Sequence, residues 1–144
     1  MKNLQVIDLQ WTPNKSLGFI ELGDNIEPYK VALNLVRADD EDQKNRYVSE
    51  HFNIYIDTVD KKIERIAVES QCFYKGQDII GMNVIDLAIL LNVSADECKL
   101  GDSIVYSNSD IRTPITIDKF GLKAWFSCNA LVTAVIKNFC DNDR

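Results

Sequence analysis

One arrangement of hydrophobic and polar positions occurs twice along this chain. The clearest match places residues 22–36 on residues 80–94, a shift of 58 positions that sets Gly23 on Gly81. In both segments the apolar residues recur at three- and four-residue steps, the spacing of an amphipathic helix. The pattern therefore predicts one helix in each copy.

Both predicted helices are preceded by an asparagine in the position of an N-cap. The side-chain oxygens of Asn25 and Asn83 suit the free backbone N–H groups of a first helical turn. The second helix is apolar nearly all round, whereas the first carries charges on one side. We therefore expect the second helix to be the more buried of the two.

Alternating apolar and polar residues predict strands on either side of each helix. The predicted strands ahead of the helices are 4–11, 17–22 and 72–80, and a hairpin of strands 47–57 and 63–68 follows the first helix. A second hairpin, with its turn at 127–129 and its last strand at 130–139, aligns at an offset of 68. The larger offset predicts an insertion within residues 94–114, which include a short strand at 103–106.

The order of elements in each copy is strand, helix, strand, strand. We predict a single α+β domain, residues 1–144, with antiparallel sheets and two similar sheet-plus-helix halves, the pseudo-repeats spanning about 16–70 and 74–139. Two arrangements stay open at this point. The halves could pack their sheets face to face, or they could extend one sheet with both helices on one side.

Composition narrows the class of protein. The chain has 144 residues and a formal net charge of −6, with no apolar run long enough to span a membrane and no leader-like segment. Four cysteines stand far apart without a CxxC pair, which favours reduced, buried thiols in a cytoplasmic protein. They are Cys72, Cys98, Cys128 and Cys140.

Few residues suggest catalysis. His51 is the only histidine, and the sequence contains no glycine-rich phosphate loop, no nucleophile elbow and no spacing of metal ligands. Asp57 and Asp60 are the obvious carboxylate pair, but beside two lysines they are typical of a hairpin turn. We therefore predict no metal, no cofactor and no enzymatic activity.

The candidate binding residues are acidic or aromatic. The densest charge run in the chain, at 39–42, predicts a negative loop suited to a basic partner. Tyr55 alternates away from Phe52, Ile54 and Ile56, so we expect it on the opposite face of its strand. The adjacent Trp125 and Phe126 should likewise point to opposite faces. The partner-binding candidates are Asp39, Asp40, Glu41, Asp42, Tyr55, Asp57 and Asp60.

Three segments resemble immunity proteins of bacterial contact-dependent growth-inhibition systems. They are the opening W…LGFIELGDNIEPY, the middle YKGQDIIGMNVIDLAILL and the close FGLKAWFSCNALVTAVIKN. The resemblance implies a small cytoplasmic protein that binds and neutralises a cognate toxin, such as a nuclease with a basic cleft, by covering its active site. Some such proteins resemble the Whirly group in fold, which is built from a repeated sheet-plus-helix unit.

Two alternatives remain beside a toxin-binding protein. A Whirly-like single-stranded nucleic-acid binder would need a basic groove with exposed aromatic side chains, and the acidic composition argues against nucleic acid as a partner. A small enzyme or ligand-binding domain would need a pocket between the two halves.

Overall fold

The computed structural model describes residues 8–38 and 45–138, and these ranges fold mainly into strands. In chain order the first group is β1 (Trp11–Thr12), β2 (Ser16–Leu17), β3 (Ile20–Glu21), α1 (Glu27–Ala32), β4 (Val36–Arg37), β5 (Arg46–Ser49), β6 (Ile54–Val59) and β7 (Lys62–Val68). The second group is β8 (Phe73–Tyr74), β9 (Gln77–Asp78), α2 (Val84–Leu91), β10 (Lys99–Leu100), β11 (Ile104–Ser107), β12 (Asp110–Ile117), β13 (Leu122–Ser127) and β14 (Ala130–Lys137).

One antiparallel sheet organises the described residues. Its order is β10-β12-β13-β14-β7-β6-β5-β4, and β11 also pairs with β12. Strands β7 and β14 join the two hairpins in the middle, with Ala67 opposite Val135. Of the two arrangements left open by the sequence, the structure has the extended sheet, so the α+β class with antiparallel sheets is confirmed.

The core lies on one face of this sheet. Ile54, Ile56, Ile66, Leu122 and Ile136 are fully buried there, as period-two alternation requires. Both helices add side chains to the same hydrophobic cluster, Tyr29 from α1 with Leu33 directly after it, and Leu87 and Leu91 from α2.

Left-handed residues divide the strands that were predicted as continuous ahead of the helices. Gly18, with φ 60°, turns the chain between β2 and β3, where the sequence predicted one strand over 17–22. Lys75 and Gly76, with φ 50° and 85°, do the same between β8 and β9. Those predictions were too long because a positive φ reverses the chain and ends the extended conformation.

The strand predicted over 47–57 is also two strands. A turn over residues 50–53 separates β5 from β6, and Asn53 has a φ of 54°. The strands then pair with each other, Tyr47 opposite Ile56. The alternation of apolar residues continues through the turn because Phe52 packs against the core from there.

Helix α2 begins where the sequence placed it and, as expected, it is the more buried helix, with Leu87 and Leu91 buried where α1 buries only Tyr29. Asn83 is its N-cap, and its Oδ1 accepts the backbone N–H of Asp86 at 2.8 Å. However, Ile85 and Ile89 are 67% and 71% exposed. The helix therefore covers the sheet with one face, and no described element covers the other.

Candidate functional site

The face of the sheet opposite the core carries the described candidate residues of the first hairpin. Cross-strand partners lie on one face of a sheet, so the observed register fixes which side chains share it. Arg46, Asp57, Arg65 and Lys137 form one row across four strands. A second row contains Lys123, Val135, Ala67, Tyr55 and Val48. We call this surface the outer face.

A cleft of about 550 Å³ opens on the outer face where the two hairpins meet. Ala67 and Val135 line its floor, and Tyr55, Trp125 and Tyr106 line its walls. Tyr55 thus lies on the face predicted for it. Trp125 lies there too while Phe126 is buried in the core, so the prediction that these neighbours point to opposite faces is confirmed.

Cationic side chains predominate on the outer face although the chain is acidic. The cations placed there by the register are Arg46, Arg65, Lys99, Arg112, Lys123 and Lys137, and the carboxylates are Asp57, Glu69 and Asp110. The order of residues in the sequence did not reveal this concentration of positive charge on one face, because the six cations come from six different strands.

Three aromatic rings of the outer face each lie beside a cation. The Arg112 guanidinium lies 4.2 Å from the centre of the Tyr106 ring, and the Lys123 ammonium lies 5.0 Å from the Trp125 ring. Arg46 lies 5.8 Å from the ring of Tyr55. Such pairs hold flat apolar surface next to positive charge, an arrangement suited to planar or anionic groups.

Carboxylates on and beside the outer face are held in ion pairs. Asp57 accepts from Arg46 Nε at 2.7 Å and lies 3.3 Å from Arg65 Nε. The Arg112 guanidinium beside Asp110 holds the pKa of that carboxyl below its usual range, with a further contribution from the Ser127 hydroxyl. Asp57 lies within β6, and its earlier placement in a hairpin turn was wrong.

Asp60 lies in the turn between β6 and β7, as predicted, and it is exposed. The acidic run Asp39–Asp42 lies outside the described residues, and the nearest described residues on either side of it are Ala38 and Asn45. Ala38 N–H donates to Arg46 O at 2.9 Å, and Asn45 O accepts from Thr58 N at 3.0 Å. Ala38 and Asn45 therefore lie at the end of the sheet that also carries Asp60.

The described residues offer little for covalent or metal chemistry. Within 8–38 and 45–138, no group of three or more His, Cys, Asp or Glu side chains could hold a metal ion. Burial raises the pKa of the Cys72 thiol, which disfavours its thiolate. Cys128 is exposed in the β13–β14 turn, so the expectation that it is buried was wrong. His51 is exposed and packs edge-on against Phe52.

Arg46, Arg112 and Tyr106 are among the contributors to the outer face that sequence reasoning missed. Each could have been found only by knowing which strands pair. Arg46 directly precedes the strand predicted over 47–57, and Tyr106 lies within the predicted insertion. Once β11 pairs with β12, Tyr106 meets Arg112.

Comparisons with known proteins return no relative. No family model, curated protein or solved structure matches the chain significantly. In the part of the chain that the structure describes, neither helix has the length and apolar character needed to cross a membrane.

Proposed function

We propose that this chain is an immunity protein that binds a basic toxin domain, such as a nuclease, and covers its active site. The observation that carries the proposal is the position of the described residues that flank the acidic run in the chain. Backbone hydrogen bonds hold Ala38 and Asn45, the described neighbours of that run, at the end of the sheet where Asp60 is exposed. The family resemblance of the sequence points to the same function.

Charge supports this proposal. Negative charge concentrated in one stretch of the chain steers a basic partner toward it and speeds association. Of the other candidates, Asp60 is free of ion pairs among the described residues, while Asp57 is already paired with two arginines.

The partner is first identified by a pull-down from the native host with mass spectrometry. We expect a basic C-terminal fragment of a large secreted protein. The double variant D40K/D42K should then bind this fragment at least about tenfold more weakly in calorimetry, because two attractive charges become repulsive.

The matched control is E50K/D102K, which reverses two exposed carboxylates elsewhere. It should bind within about twofold of the parent chain, since reversed charges away from the interface act only through screened long-range fields. Unchanged affinity in D40K/D42K, with the circular dichroism of the parent, would remove the acidic run from the interface. Equal losses in both variants would mean that net charge alone drives binding.

A second candidate function, single-stranded nucleic-acid binding of the Whirly type, is favoured by the outer face. Cations outnumber carboxylates there, and Tyr55, Trp125 and Tyr106 lie beside cations, which matches the two needs of such a site. Fluorescence anisotropy with an oligo-dT strand tests it. Binding should weaken with salt and in Trp125→Ala, and not in Phe19→Ala, an exposed aromatic outside the main sheet.

We also propose that the two halves are copies of one unit, and the backbone supports this. At the offset of 58, three pairs share a positive φ: Gly18/Gly76, Gly23/Gly81 and Asn34/Asn92. At the offset of 68 the pairs are Asn53/Gly121, Asp60/Cys128 and Lys61/Asn129. The register of β5 with β6 repeats in β12 with β13 at the same offset, and so does the bulge of each hairpin.

A further inference from the structure

An apolar groove of about 500 Å³ runs along the outward side of α2. Its lining comes from α2 and from the turn that follows it: Val84, Ile85, Ala88, Ile89, Val93 and Cys98. Among these, Ile85 and Ile89 leave most of their side-chain surface in contact with solvent. A contiguous exposed apolar patch on a protein surface commonly marks an interaction site.

Helix α1 provides an internal comparison, because each of its positions aligns with one of α2 at the offset of 58. Glu27 stands where α2 has Ile85, and Val31 stands where α2 has Ile89. On α1, Glu27 forms an ion pair with Lys30 at 3.0 Å, so the outward side is polar except for Val31. The outward side of the helix is therefore mostly polar in α1 and apolar in α2.

Among the described charged side chains beside the α2 groove, those without an ion pair are negative. Asp86 and Asp96 are exposed beside lining residues, and within the described residues neither forms an ion pair. The last turn of α2 has no basic residue, whereas the last turn of α1 has Lys30. The negative end of the helix dipole, at Asn92 in the groove, is therefore not offset by a cation of its own helix.

We propose that the α2 groove docks a segment of the toxin domain that places an apolar side chain next to lysine or arginine. This inference rests on the proposed function, since the occupant belongs to the same basic partner. The apolar side chain fills the groove between Ile85 and Ile89. The neighbouring cation meets Asp86, Asp96 or the carbonyl end of α2. A second copy of this chain fits less well, because its own groove would bring carboxylates against carboxylates.

The chemistry of the groove is tested with a short synthetic helical peptide made only of leucine and lysine, its leucines on one face. Calorimetry and NMR titration compare the parent chain with Ile89→Asn. The peptide should bind Ile89→Asn at least about tenfold more weakly, because the burial of one isoleucine side chain is lost. The amide signals that move should belong to residues 84–98.

The control is Val31→Asn, the aligned position on α1, where Val31 is 87% exposed. Both substitutions remove an exposed apolar side chain without changing charge, so both should keep the fold. Val31→Asn should bind the peptide as the parent does. Equal losses in the two variants, no loss in either, or signal changes spread over distant acidic residues would overturn the groove as a docking site.

The same two variants separate this inference from the proposed function. If the identified toxin binds Ile89→Asn as tightly as it binds the parent chain, the groove proposal fails and the immunity function stands. If no toxin is recovered, the immunity function fails, and the peptide result still decides whether the groove takes an apolar and cationic segment.

Discussion

Replacing Gly121 by alanine should destabilise the fold more than the same replacement at Gly23. Gly121 ends a short 3-10 turn at Asp118–Phe120 with a φ of 64°. A Cβ atom added there would lie 1.9 Å from the carbonyl oxygen of Lys137 and 2.5 Å from Oδ1 of Asn14. The backbone of β14 would therefore have to move by more than an ångström.

The cost has three parts. The left-handed conformation costs alanine about 1–2 kcal/mol relative to glycine. Displacing packed backbone costs about 1–3 kcal/mol, as in other overpacked sites. The hydrogen bond from Lys137 N to Gly121 O, now 2.8 Å, would be weakened at a further cost of about 1 kcal/mol. Gly121→Ala should thus lose about 3–6 kcal/mol of unfolding free energy.

Urea unfolding followed by tryptophan fluorescence measures this loss, with Gly23→Ala as the control. Gly23 has a φ of 91°, but an added Cβ meets no atom within 4 Å. Only the backbone part of the cost applies there, about 1–2 kcal/mol. If Gly121→Ala lost no more than Gly23→Ala, the close approach of β14 to residue 121 would be refuted. A failure of Gly121→Ala to fold, with Gly23→Ala folded, would agree with the larger cost.

Two further predictions concern titratable side chains. In a Cys140→Ser background, Cys128 should react with a thiol reagent within minutes, while buried Cys72 should react only on unfolding. Equal rates would contradict the burial of Cys72. The second prediction concerns Tyr29, because burial and the hydrogen bond to Asp24 raise the pKa of Tyr29 to about 12. Unfolding releases this proton more easily, so stability should fall between about pH 10 and 12, and Tyr29→Phe should remove that part of the fall. An identical alkaline profile in the variant would count against the raised pKa of Tyr29.

Local pattern was sufficient for several features of the fold and for part of the candidate site. The start of α2 at Asn83 follows from a side-chain oxygen that can accept from Asp86 N, a contact within four residues. The opposite faces of Tyr55 and Ile54 follow from the pleat of a strand. Pattern failed at Gly18 and Gly76, because an apolar stretch containing one glycine reads the same whether the glycine extends the chain or reverses it.

The sequence by itself determined the class of this protein: antiparallel strands with two helices, one apolar face per strand, and an excess of negative charge. These properties depend on near neighbours in the chain, whose periodicity and capping act locally. Only the tertiary structure decided that β7 pairs with β14, and this pairing gathers Arg46, Lys123 and Trp125 on one face. It also decided that one side of α2 is left open. The strand pairing and the open side of α2 both depend on which distant segments of the chain come into contact. The packing of the whole sheet sets those contacts, and no local pattern encodes them.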